Sequence, residues 1–142
     1  MTRRLFVPTG AATAELEVKN SRFIGFAGRA GSPGEAREKT AALRAAHPGA
    51  RHVVHAFICG PAGEVQGQSD DGEPHGTAGR PVLEVLKGRD LTDTIVGVVR
   101  YFGGTKLGTG GLVRAYSEIA RMTLDLLPAE PFVKRIVCAC RA

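Results

Sequence analysis

The chain has 142 residues, 43% of them apolar and 23% charged. That length and apolar content suit one domain with a core, and they exclude intrinsic disorder and a pair of ordinary domains. Nineteen basic side chains against fourteen acidic give a net charge of +5, which permits a polyanionic partner such as RNA without demanding one. No apolar run approaches the length of a bilayer span. The basic residues 1–8 lack the apolar h-region of a signal peptide, and three cysteines, an odd number, do not make a disulfide framework. A cytoplasmic chain with no membrane partner is therefore expected.

Residues 14–19 (Ala-Glu-Leu-Glu-Val-Lys) alternate apolar and polar as a half-buried strand does, Asn20-Ser21 marks a turn, and residues 22–27 read as a second strand. Ser32, Pro33 and Glu35 have the pattern of a helix start, and Pro48-Gly49 ends that helix. Its apolar face (Ala36, Ala41, Leu43, Ala46) is mostly alanine, so it must lie close on something flat, such as a sheet. Residues 51–59 read as a third strand, 61–77 as a glycine-rich acidic loop, and 78–87 as a short helix ended by Gly88. Residues 93–101 are apolar enough for a central strand. A glycine loop at 103–111 leads into the best helix, with Leu112, Tyr116, Ile119, Ala120, Leu124 and Leu127 on one stripe and Arg114, Ser117, Glu118, Arg121 and Asp125 opposite. Residues 132–140 read as a last strand. The alternation of elements predicts an α+β chain, a two-layer α/β sandwich with its helices on one sheet face.

Charge and glycine are both unevenly spread. Residues 64–93 hold three basic and seven acidic side chains, while the stretches 1–63 and 94–142 are net +5 and +4. Twelve of the 19 glycines fall in two windows, 60–79 and 97–111. The charge pattern fits either ordinary solvated surface or a bipolar molecule with one face suited to phosphates.

Two segments stand out: Ser-Asp-Asp-Gly-Glu-Pro-His-Gly-Thr-Ala-Gly-Arg-Pro at 69–81, and Val-Arg-Tyr-Phe-Gly-Gly-Thr-Lys-Leu-Gly-Thr-Gly-Gly-Leu-Val-Arg-Ala-Tyr at 99–116. Together they resemble the signature of the N-terminal domain of the YigZ/IMPACT family. Asn20-Ser21-Arg22-Phe23-Ile24-Gly25 and residues 50–57 follow its pattern in order, so the resemblance covers about residues 15–127. It implies a fold like domain 2 of ribosomal protein S5. It also implies a link to translational control, since eukaryotic relatives bind a large activator of a translation-factor kinase. No enzymatic activity is securely attached to the family. Bacterial members usually add a small ferredoxin-like domain, so residues 1–128 would form the N-terminal domain and 129–142 the first strand of a truncated or absent second one. Where the family often carries a cysteine, this chain has Val54, and thiol chemistry there is not expected.

A glycine-rich turn at a helix N-terminus exposes N–H groups and the positive end of the helix dipole to an anion. From Thr94 to Ser117 the charged side chains are Arg100, Lys106 and Arg114, with no acid. The candidate anion or nucleic-acid site is therefore Arg100, Gly103, Gly104, Lys106, Gly108, Gly110, Gly111 and Arg114. The plainer alternative is that these glycines serve tight turns and close packing. Asp70, Asp71 and Glu73, with His75 and Thr77, make an acidic loop whose crowded carboxylates need an offsetting group. An Asx-type turn, a salt bridge to Arg100 or Arg114, and Mg²⁺ binding all remain open. His52 and His55 lie three apart in a strand and face opposite sides, so they do not share a metal. His47 suits the end of a helix, and Cys138 and Cys140 read as small buried residues. No catalytic constellation, metal site or cofactor is called for. The expected function is a non-catalytic binding protein linked to translation, engaging RNA, the ribosome or a protein partner through the basic glycine loop. The alternative is a nucleotide- or phosphate-binding enzyme that uses the acidic carboxylates with Mg²⁺.

Overall fold

The computed structural model describes residues 4–133. Cys138, Cys140 and nearly all of the strand expected at 132–140 lie outside the described residues. In chain order the elements are β1 (Phe6–Pro8), β2 (Ala12–Val18), β3 (Ser21–Arg29), α1 (Pro33–Ala46), β4 (His52–Cys59), β5 (Val65–Ser69), α2 (Gly79–Lys87), β6 (Thr94–Tyr101), α3 (Gly108–Asp125) and β7 (Ala129–Pro131). Five strands form one antiparallel sheet in the order β2-β3-β6-β4-β5, and β1 pairs with β7 in a separate ribbon. The class is a mixed α+β sandwich, as expected.

The most apolar strand, β6, lies between β3 and β4, and all of it but Tyr101 is buried. A strand of that composition needs cover on both faces, and the helices supply it. Helices α2 and α3 pack on one face, where Phe23, Val54, Val96, Val98, Leu112, Tyr116 and Ile119 form the larger core. Helix α1 lies on the other, over Phe57, Cys59 and Ile95. This corrects the expectation of helices on one sheet face. Alanine and glycine set how closely α1 sits, because a Cβ at Gly97 would stand 2.4 Å from Leu43 Cδ1. Each fully buried large side chain, such as Phe23 or Ile119, contributes about 1.5–3 kcal/mol to the folded state.

The start of α1 forms as its sequence predicts: Ser32 Oγ accepts from Glu35 N at 3.1 Å, and Glu35 Oε1 reaches back to accept from Gly31 N at 2.7 Å. Two other expectations need correction. The loop expected at 61–77 contains strand β5, which pairs with β4 although Val-Gln-Gly-Gln-Ser has too few apolar residues to show a strand pattern. The glycine loop is shorter than 103–111, because α3 begins at Gly108 and takes the last glycines into its first turn.

Candidate functional site

The acidic loop spends its carboxylates on three separate internal tasks. Asp70 Oδ1 accepts from Ala78 N at 3.1 Å and Gly79 N at 2.8 Å, and Oδ2 accepts from Gly76 N at 2.9 Å. Ala78 stands at the cap position of α2 without a capping side chain, so Asp70 supplies the acceptor from eight residues upstream. Burial works against the Asp70 charge, but the three N–H groups outweigh it and hold the carboxyl below its ordinary range. Asp71 Oδ2 accepts from Val53 N at 2.7 Å, and Oδ1 lies 3.0 Å from Arg44 Nη2. The backbone turns through positive φ at Asp71 (44°) and Gly72 (88°) to send the two aspartates and Glu73 in different directions. Thr77 Oγ1 closes the loop by donating to Pro74 O at 2.6 Å, while His75 stays exposed.

Glu73 turns inward and is buried. Arg100, also buried on β6, donates through Nη1 to both Glu73 oxygens at 3.0 and 2.8 Å. Tyr116 of α3 donates its hydroxyl to Glu73 Oε2 at 2.5 Å. Burial, followed by the adjoining Glu73 carboxylate, pushes that phenol far above the usual range, so it stays protonated and keeps its proton for Glu73. His52 Nε2 lies 3.5 Å from Glu73 Oε1, and its Nδ1 meets Asp71 O at 2.8 Å. A backbone carbonyl only accepts, so Nδ1 is the donor in that contact. Arg100 Nη2 also donates to Ser21 Oγ at 3.2 Å, and the same hydroxyl accepts from Gly103 N at 3.2 Å. One buried network thus ties the acidic motif to the β2–β3 turn, β6, α3 and the start of the glycine loop.

The glycine loop is arranged differently. A Cβ at Gly103 would stand 2.1 Å from the Asn20 carbonyl, so only glycine allows the loop to press on the β2–β3 turn. Beyond it, Gly104 and Gly108 have positive φ (90° and 76°) and open space where a side chain would be. Leu107 at the cap position of α3 offers no capping side chain, unlike the Asp70-capped α2. Lys106, Gly108, Thr109, Gly110 and Arg114 are exposed. The Arg114 guanidinium folds back over the first turn of α3, its Nη1 3.5 Å from where a Cβ on Gly110 would be. Lys19, Leu107, Gly111 and Arg114 line the groove between this turn and β2. Among the described residues, Lys19, Arg51, Lys106 and Arg114 make no salt bridge.

The Impact N-terminal domain model matches residues 19–124, which span both motifs and the buried network. The chain belongs to the IMPACT family. An IMPACT family member of Haemophilus influenzae is 45% identical over 91% of this chain and 64% of its own length. The family members YvyE of Bacillus subtilis and YigZ of Escherichia coli are each 44% identical, over 83% and 87% of this chain and 54% and 62% of their own lengths. The chain therefore spans less than two thirds of the length of these curated relatives. The crystal structure of a hypothetical protein overlays with a TM-score of 0.88 at 37% identity, covering 94% of this chain and 66% of that one. The two-domain translational regulator Yih1 overlays at a TM-score of only 0.47 with 24% identity, a likeness too slight to argue from.

The structure divides the IMPACT residues singled out from sequence into two groups. Glu73 and Arg100 meet in a salt bridge, one of the three readings left open for the acidic loop, while Asp71 pairs with Arg44 rather than with Arg100 or Arg114. Arg100 is consequently buried and cannot present its charge to an external anion. The carboxylates diverge, and no cluster of three metal-ligating side chains occurs among the described residues. That geometry gives no support to the magnesium-dependent alternative. His52 and His55 do face opposite sides, and burial lowers the pKa of His55. Sequence reasoning missed Ser21, His52 and Tyr116 as members of the network. A tyrosine on an otherwise apolar helix stripe was a usable signal, because a buried phenol hydroxyl needs a partner.

Proposed function

We propose that this IMPACT domain is a non-catalytic module of translational control that holds RNA, free or in the ribosome, by its phosphates at the start of α3. The observation that carries the reading is the uncapped, acid-free first turn of α3, with Lys106 and Arg114 exposed beside it. Exposed N–H groups, the dipole and two exposed cations are the recurring means of holding a phosphate. Gly104 and Gly108 leave open space for the approaching backbone, Gly110 and Gly111 belong to the first turn of α3, Gly103 seats the loop on the β2–β3 turn, and Arg100 acts from within by fixing it. The family resemblance supplies the translational context, and a cytoplasmic setting accords with it. No helix among the described residues is long and apolar enough to cross a membrane.

Binding of this kind releases counterions and falls steeply between about 50 and 200 mM salt. Affinity for ribosomes or bulk RNA should therefore drop across that range, and Lys106→Ala with Arg114→Ala should weaken it further. Affinity indifferent to salt would count against the proposal. Ribosomes recovered in a pull-down but lost after nuclease treatment support RNA as the contact. Recovery that survives nuclease points instead to a protein partner.

A further inference from the structure

We propose that Phe102 is a base-stacking platform, and that the RNA taken by this face is single-stranded. The inference deepens the phosphate-binding reading above and rests on it. Most aromatic side chains here are core or half-buried: Phe23 and Tyr116 are fully buried and Phe57 is 8% exposed. Phe102, just past the end of β6, is 38% exposed. A single exposed ring is ordinary in itself, and what distinguishes this one is the charge placed around it.

Its surroundings point to the ligand. The Arg51 guanidinium carbon lies 4.9 Å from the ring centroid, and that of buried Arg100 lies 5.6 Å away. Gly103 and Gly104 follow directly, and the space where a Gly104 side chain would stand is open. Lys106 comes four residues after the ring, and the turn carrying Lys19 is pressed against Gly103. Arg100 is held by Glu73, so the cations left for a ligand are Arg51 at the ring and the exposed Lys19 and Lys106 on neighbouring segments, with no acid in the sequence from Thr94 to Ser117. A ligand that fits must carry a flat π face and negative charge on either side of it. An unstacked nucleotide in a single strand has both, whereas a duplex keeps its base faces stacked inside. Arg51 now lies over the ring, but it is exposed, so its guanidinium can give up the ring face to a base and meet a neighbouring phosphate. One ring is thus placed where one base can reach it.

The test uses the full chain and two fluorescent RNAs of equal length, one single-stranded without secondary structure and one duplex, followed by anisotropy. The single strand should bind more tightly. Phe102→Leu should weaken single-strand binding about tenfold, leave duplex binding unchanged, and leave the salt dependence unchanged. Phe102→Trp should restore it, which separates loss of stacking from loss of fold. Lys106→Ala should weaken both RNAs and flatten the salt dependence. The stacking inference is overturned if wild type binds both RNAs equally, or if Phe102→Leu leaves the single strand unaffected or weakens both alike. In those cases salt-dependent binding that responds to Lys106→Ala leaves the phosphate reading standing. If neither RNA binds at about 50 mM salt, the phosphate reading fails and the stacking inference with it.

Discussion

The chain contains two glycine-rich loops that each lead into a helix, and it uses them in opposite ways. The acidic loop before α2 is closed: Asp70 takes up three backbone N–H groups, Asp71 holds β4 and Arg44, and Glu73 is buried against Arg100, Tyr116 and His52. The glycine loop before α3 is open: its helix has no capping side chain, and its cations make no salt bridge among the described residues. The difference teaches that similar composition does not mean similar work. A helix N-terminus supplied with a carboxylate from its own chain is finished, and, in our proposal, the one supplied with glycine and lysine takes its anion from outside.

The comparison is most sharply broken by opening the closed loop. Removing one member of a buried ion pair strands the other charge, at a cost of about 3–5 kcal/mol. Glu73→Gln or Arg100→Met should each lower stability by that order in denaturant titrations. The double change Glu73→Gln with Arg100→Met should cost less than the two singles added, because no charge is left stranded. Additive losses would show that Glu73 and Arg100 act independently.

Next in size is Gly103→Ala. Its new Cβ would meet the Asn20 carbonyl at 2.1 Å, so the turn or the loop must shift, at about 1–3 kcal/mol. The same alanine should weaken RNA binding as well, because the loop it displaces carries Lys106. An unchanged melting temperature would mean that the β2–β3 turn does not hold the loop.

Asp70→Asn is smaller, about 1–2 kcal/mol, and it has a pH signature. The folded Asp70 pKa lies below its ordinary value of 3.8. Its stabilisation is therefore fully present above that value and is lost as pH falls through the lower folded value. Asparagine does not titrate, so the gap between wild type and variant should be constant near neutrality and close below about pH 4. A gap that widens on acidification would exclude the carboxylate as the capping group.

These ranks follow what sequence could and could not reveal. The α1 start was legible because Ser32, Pro33 and Glu35 act on their own neighbours. The position of β6 was legible because near-continuous apolar residues have few places to go. That α1 lies opposite α2 and α3 was not legible, since an alanine face fits either side of a sheet and the close approach of Leu43 to Gly97 that seats α1 joins residues far apart in sequence. The site behaved likewise. A bridge from the acidic motif to Arg100 was among the readings its crowded carboxylates allowed, but Ser21, His52 and Tyr116 join it only through contacts 19 to 82 residues apart in sequence, from the His52–Asp71 contact to the Ser21–Gly103 bond. Exposure of Phe102 was equally hidden, because a phenylalanine after an apolar strand reads as core.

The smallest effect on stability should accompany the clearest effect on binding, in the open loop. Lys106 and Arg114 stand at the positive end of the α3 dipole, where cations are locally unfavourable by about 0.3–1 kcal/mol. A residue selected only for stability would be an acid there, as Asp70 is at α2. Lys106→Glu should therefore leave the melting temperature unchanged or slightly raised while removing salt-dependent RNA affinity. Arg114→Ala should do the same more weakly, since its exposed side chain buries little and its loss removes one cation. Stability and binding that fall together would make these cations structural and erase the contrast between the loops. Stability that rises as binding falls would mark the open helix end as a place where the fold gives up a little free energy to keep an anion site vacant.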